Sequence, residues 1–175
     1  MEFKNLDAET RKNMLLEIEA DEQLRRIYIS PRLNGRGVSL YTAALKDAVS
    51  FGDAESLSNS LRMGCFQSHY QRHNPKGGFI SVTMPYDAPQ TLAEGEFNRY
   101  YIRGVCLRAI QQGEKMVRIY RAKVVRNPRF ESQQKIGLLV SAERLLNDLR
   151  QNIGVDTALG LPSGPNSGLS AELVA

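Results

Sequence analysis

Cys65, His69 and His73 carry side chains with an evident capacity for chemistry, because thiolates and imidazoles bind zinc. They stand at i, i+4 and i+8, the spacing of one helical face. On a helix the outer two lie about 12 Å apart along the axis, whereas zinc ligands sit about 2.0–2.3 Å from the ion. One ion cannot hold all three. His69 and His73 alone could share a face, but they would need two more ligands. The chain offers no Cys-x-x-Cys pair and no further His, so no metal site and no cofactor is expected. A second set, Asp87, Glu94, Glu96 and Lys123, has the composition of a nuclease centre. The strand expected around Lys123 carries no neighbouring acid to hold a hard divalent cation. The stretch GLPSGPNSG lacks the Lys-Ser/Thr pair that a phosphate loop places at its helix start. No G-x-S-x-G or H-E-x-x-H pattern is present. The residues do not read as an enzyme.

What remains is charge. From Gly95 to Phe130 there are nine Arg and Lys against two acids, Glu96 and Glu114. On a helix, Arg99, Arg103 and Arg108 lie along one side, with Tyr100 and Tyr101 interleaved. On a strand, Arg121 and Lys123 share a face with Val117 and Ile119, while Arg118 points the other way. Arg126 and Arg129 follow. A groove lined by Arg99, Arg103, Arg118, Arg121, Lys123, Arg126 and Arg129 could contact the phosphates of duplex DNA without reading its sequence. The same arginines suit bidentate pairs with carboxylates of a neighbouring subunit, such as those on the N-terminal helix.

The elements that must position these residues follow from caps and periodicity. Asp7 or Thr10 caps a first helix running to Leu24 or Arg25, with Met14, Leu15 and Ile18 as a narrow apolar stripe. Its other faces carry Glu17, Glu19, Asp21 and Glu22. Arg25 to Ser30 alternates as a short strand and Pro31 ends it. Ser39 caps a helix through Phe51, and Asp53 caps a second with Leu57 and Leu61 inward. Phe79 to Met84 reads as a strand, rich in β-branched residues. Thr91 and Glu94 form a capping box ahead of a helix from Leu92 to Gln112. Met116 to Val125 is the best strand, and Ser141 caps a last helix with Leu145, Leu146 and Leu149 inward.

At 175 residues and 42% apolar content, the chain suits one domain with extensions. Its pI near 9.2 and net charge of +4 suit an anionic partner. Cys65 and Cys106 read as free thiols in a reducing compartment. The N-terminus has no apolar signal region, and no apolar run approaches a membrane span, so the expectation is an intracellular protein or part of a particle assembled in a cell. Elements not in strict alternation argue for an α+β fold: a small mixed or antiparallel sheet of three to four strands with about five helices, occupying residues 25–153. A helical arm (1–24) and an extended tail (154–175) flank it. The tail has no Lys or Arg. Its Leu161, Leu169 and Leu173, spaced among glycines, could drop into a neighbouring subunit.

The segment TLAEGEFNRYYIRGVCLRAI, then VRIYRAKVVRNPRFES with Ile136-Gly137, and finally GLPSGPNSG resemble virion structural proteins of tailed bacteriophages. The resemblance spans residues 91–137 and the Gly/Pro/Ser tail and carries no catalytic motif. It implies a capsid-associated, head–tail connector or neck protein. Such a protein would work by self-association and by contacts with other virion proteins, in a particle assembled in host cytoplasm. Two alternatives stand beside it: a stand-alone nucleic-acid-binding protein using the block from 99 to 129, and a nuclease-like enzyme.

Overall fold

The longest helix, α4 (Ala88–Gln111), is the axis on which the other elements pack. The computed structural model describes residues 1–153 and 168–174. Phe97, Tyr101, Ile102, Val105, Cys106 and Ala109 of α4 are all buried, on more than one side of the helix. A helix buried all round is an internal one. It starts one turn before Thr91, because Pro89 suits the first helical turn, where its missing N–H would have no partner. The Thr91–Glu94 capping box is therefore not formed. Glu94 accepts a hydrogen bond from Gln90 instead.

Helix α1 (Ala8–Gln23) is capped by the Asp7 side chain, which accepts from the Thr10 N–H at 3.0 Å. It lies along α4 and buries Met14 and Ile18 in the common core. The two helices approach closely at Gly104. A Cβ there would stand 2.7 Å from Met14 Cγ and 3.0 Å from the Thr10 carbonyl oxygen. Within this chain, then, the helix expected in the N-terminal arm packs along α4.

The segment expected as a strand from Arg25 to Ser30 is irregular. Its Ile29 is exposed, and no strand among the described residues pairs with it. Helix α2 (Gly35–Phe51) begins four residues before Ser39. Asn34 caps it, accepting from the Gly37 N–H at 3.0 Å. Helix α3 (Ala54–Leu61) opens on the expected Asp53, with Ser56 completing a reciprocal capping box. The short α5 (Phe130–Gln134) precedes α6 (Ala142–Gln151), which Ser141 caps and which buries Leu145, Leu146 and Leu149.

Two small antiparallel sheets complete an α+β fold. One is a hairpin of β1 (His69–His73) and β2 (Phe79–Thr83). The other has the order β4-β3-β5, with β3 (Met116–Arg121) between β4 (Leu139–Ser141) and β5 (Leu169–Leu173). Strand β5 lies in what read as an extended tail. Its Leu169 and Ala171 are buried, and Val117 faces Leu173 while Arg121 faces Leu169. Asn98 of α4 secures it: the amide donates to the Leu169 carbonyl at 2.8 Å and the amide oxygen accepts from Ser170 Oγ at 2.7 Å.

The N-terminal residues close over the same sheet. The Glu2 N–H donates to the Ala122 carbonyl at 2.7 Å, and Asn5 accepts from the Leu173 N–H at 2.9 Å. Lys4 pairs with Glu172 at 2.7 Å. Phe3 stacks obliquely on Phe97 and Tyr101. Leu161 lies outside the described residues. Among the described residues no helix is long and apolar enough to cross a membrane.

Candidate functional site and the basic block

The acids of α1 and the arginines of α4 repeat at the same interval, four residues, so they meet where the helices lie side by side. Arg103 is only 1% exposed. Its Nε donates to Glu17 at 2.8 Å and its Nη1 to Asp21 at 2.5 Å. The Tyr100 hydroxyl donates to the same Asp21 carboxylate at 2.9 Å. Arg150 of α6 reaches Glu17 with two more nitrogens, at 2.5 and 3.0 Å. Two carboxylates and two guanidinium groups thus tie α1, α4 and α6 together with their charges balanced. Buried charge survives where it is paired and its remaining polar atoms are bonded.

Beside this network, Glu96 is buried, with Arg99 Nε 3.6 Å away. Burial pushes its carboxyl up to about 6, against the pull of the Arg99 and Arg103 charges. Arg99 also donates to the Asn152 carbonyl at 2.7 Å. Lys123 pairs with Glu94 at 2.5 Å. Arg108 reaches Asp7 and Glu9 on the first turn of α1, at 2.6 and 3.1 Å. Much of the positive charge concentrated in the sequence is therefore met inside the chain.

The six arginines and one lysine read as a phosphate groove divide among three places. Arg99 and Arg103 are interior. Lys123 is engaged with Glu94, and Arg121 is half-buried. Arg118 stands on β3 between Leu139 and Glu172. Arg126 and Arg129 are in the loop that follows, Arg126 exposed.

Of the nuclease-like set, the structure pairs Glu94 with Lys123. Glu94 and Glu96 are two residues apart on a helix and face different directions, and Asp87 is exposed at the start of α4. His69 and His73 lie on β1 rather than on a helix, so four residues separate them by about 13 Å. Among the described residues no group of three or more His, Cys, Asp or Glu could hold a metal ion. Cys65 and Cys106 are buried and unpaired with each other. Burial, with the nearby Glu17 charge, drives the Cys106 thiol far above its ordinary value, so it is not poised as a nucleophile.

Two surface features were not singled out from the sequence. One runs from Val124 to Leu139. Val124 is 94% and Phe130 69% exposed, and Ile136, Leu138 and Leu139 are exposed with them. The signal was present as the run Ile136-Gly137-Leu138-Leu139-Val140. It is too short to declare itself a strand, and it contributes to β4, one of the two outer strands of its sheet. The other is the β1–β2 hairpin, in which eight of ten strand residues are exposed. Comparison with protein-family models, with curated proteins and with solved structures returned no match.

Proposed function

We propose that the chain is a structural subunit of a multi-subunit particle, of the tailed-phage kind that the sequence resemblance implies. The observation that carries this reading is the apolar rim of β4. Leu138 and Leu139 hydrogen-bond or pair inward to β3, yet their side chains face solvent. Phe130, Ile136 and Val124 add exposed apolar surface in the same stretch. An open sheet edge bearing exposed apolar side chains is a template for pairing with another protein chain.

On this reading the associating surface is the β4 edge rather than a terminal arm. Burying Leu138, Leu139 and Phe130 against another subunit would gain on the order of 2 kcal/mol for each side chain fully covered. The basic block contributes to the fold of each subunit more than to its partners. Its use as a DNA groove has less support, because Arg99, Arg103, Arg108 and Lys123 already have carboxylate partners within the chain.

The test is the mass of the purified full chain by sedimentation or light scattering, across a range of concentrations. The wild type should assemble as concentration rises. The double variant Leu138→Lys, Leu139→Lys should remain a monomer with a wild-type melting curve, since both side chains are exposed. A wild type that stays monomeric at millimolar concentration, or a double variant that assembles as well as wild type, would sink the proposal.

A further inference from the structure

The β1–β2 hairpin is attached to the rest of the molecule at its base. Arg32 and Gln67 are joined by a backbone hydrogen bond of 2.9 Å, and Leu33 forms a bridge to Phe66. Beyond the base, among the described residues, the two strands pair only with each other. The tip is a tight turn at Asn74–Gly78. The Gly77 N–H donates to the Asn74 carbonyl, the Asn74 side chain accepts from the Lys76 N–H at 3.1 Å, and Gly77 and Gly78 hold φ of +100° and +74°. A Cβ at either glycine would meet nothing within 4 Å, so the tip stands in open space. A two-stranded hairpin by itself is marginally stable in water.

Its two faces differ. Tyr70 and Val82, both half-buried, share one face with Arg72 and Ile80, and the Arg32 guanidinium stacks on the Tyr70 ring at 4.2 Å. The opposite face presents His69, Gln71, His73, Phe79, Ser81 and Thr83, and all six are exposed. Five of those six side chains can donate or accept hydrogen bonds. The hairpin and its flanks are basic in sequence: residues 56–86 contain no Asp or Glu but carry Arg62, Arg72 and Lys76. Among the described residues none of Arg32, Arg36, Arg62, Arg72 and Lys76 makes an ion pair. That sets these five charges apart from those of α4, which meet acids of α1.

From this combination we infer that the hairpin is a duplex-DNA-binding ribbon that enters the major groove with its polar face toward the base edges. The dimensions agree. Strands of a ribbon lie about 4.8 Å apart and five residues extend about 17 Å, and the major groove, about 12 Å wide and 8.5 Å deep, admits a two-stranded ribbon. Lys76 at the tip would meet a phosphate on a groove wall, and Arg72 and Arg32, whose side chains leave the opposite face, would reach past the strand edges to phosphates at the groove rim, with Arg36 and Arg62 near the base. Gln71 offers the paired donor and acceptor that an adenine edge accepts, and Ser81 and Thr83 supply hydroxyls. A-form RNA, whose deep, narrow major groove excludes such a ribbon, is not a fitting partner. The β4 edge is a separate surface, so this inference does not depend on the subunit proposal.

The test uses the full chain and a fluorescent DNA duplex of about 20 base pairs, with anisotropy read at several salt concentrations between roughly 50 and 200 mM, the range over which phosphate binding weakens steeply. Duplex RNA and single-stranded DNA of the same length serve as competitors. Binding should weaken with salt, and Arg72→Ala with Lys76→Ala should lower the slope of log affinity against log salt by about 1.8, or about 0.9 for each phosphate no longer neutralised. Arg126→Ala with Arg129→Ala should leave that slope unchanged. Equal melting temperatures would show both variants folded. Three outcomes would overturn the inference: no binding by wild type at the lowest salt, a slope unaffected by the hairpin pair, or competition by duplex RNA equal to that by DNA. Mass measurements on the same variants separate a failure here from a failure of the subunit reading.

Discussion

Arg103 and Glu96 lie seven residues apart on α4, and burial treats them in opposite ways. Arg103 keeps its charge because Glu17 and Asp21 surround it. Glu96 has one guanidinium at 3.6 Å and is otherwise desolvated. Its carboxyl therefore holds a proton to about pH 6, above its ordinary 4.5. The folded state binds that proton more tightly than the unfolded chain does. Glu96 thus supports folding below pH 4.5, and this contribution is lost as pH rises through 6. The variant Glu96→Gln, which keeps the shape without the charge, should exceed wild type in stability at about pH 8 by about 2 kcal/mol. The gap should close below pH 4.5 in urea unfolding curves, and a difference independent of pH would count against this account. The sequence displayed these charges plainly but not their partners. Arg99 and Arg103 on one side of a helix look the same whether they face phosphate or carboxylate. The deciding clue was the matching interval of Glu17 and Asp21, and a match of spacing between distant segments becomes meaningful only once two helices are known to lie together.

At the scale of elements, the helices marked by strong local chemistry were legible. Asp53 opens α3 and Ser141 opens α6, because a side chain accepting an N–H within its own first turn needs nothing distant. Strands were less so. Arg25 to Ser30 alternates well yet forms no strand, since alternation does not supply a neighbour. The segment His69–His73 has no apolar periodicity because neither face meets the core squarely, and it is a strand all the same. Leu169–Leu173 reads as tail and becomes β5 through pairing with β3, far back along the chain. The contact between α1 and α4 depends on one missing methyl group. Gly104→Ala would drive a Cβ against Met14 and the Thr10 carbonyl, at a cost of about 1–3 kcal/mol, the usual penalty for overpacking. Thermal unfolding would register it as a lowered midpoint. Because Met14 is itself a core side chain, Met14→Ala is destabilising on its own, but combined with Gly104→Ala it should cost less than the sum of the two single changes if the clash with Met14 is the cause.

Across the whole molecule, the arginines of α4 are neutralised by carboxylates of the same chain, whereas the hairpin carries its positive charge at the surface. Apolar side chains fill the core around α4, and those of the β4 rim are among the ones left at the surface. The sheet joins the two ends of the described chain, with residues 2–5 and 168–173 both bonded to β3 or to its neighbours. Deleting residues 168–175 should strip one side of β3, uncover Val117 and Ile119, and abolish the cooperative melting transition or drive the protein into aggregates. A deletion variant that melts like the wild type would show that the sheet does not need its last strand. The same arrangement has a consequence in time. Strand β3 ends at Arg121, and its partner begins at Leu169. At synthesis rates of about 5–20 residues per second, the ribosome needs roughly 2–10 s to make the intervening chain. Throughout that interval the nascent protein holds β3 with one edge open, and those seconds are when a chaperone, or another nascent chain, has its chance at it.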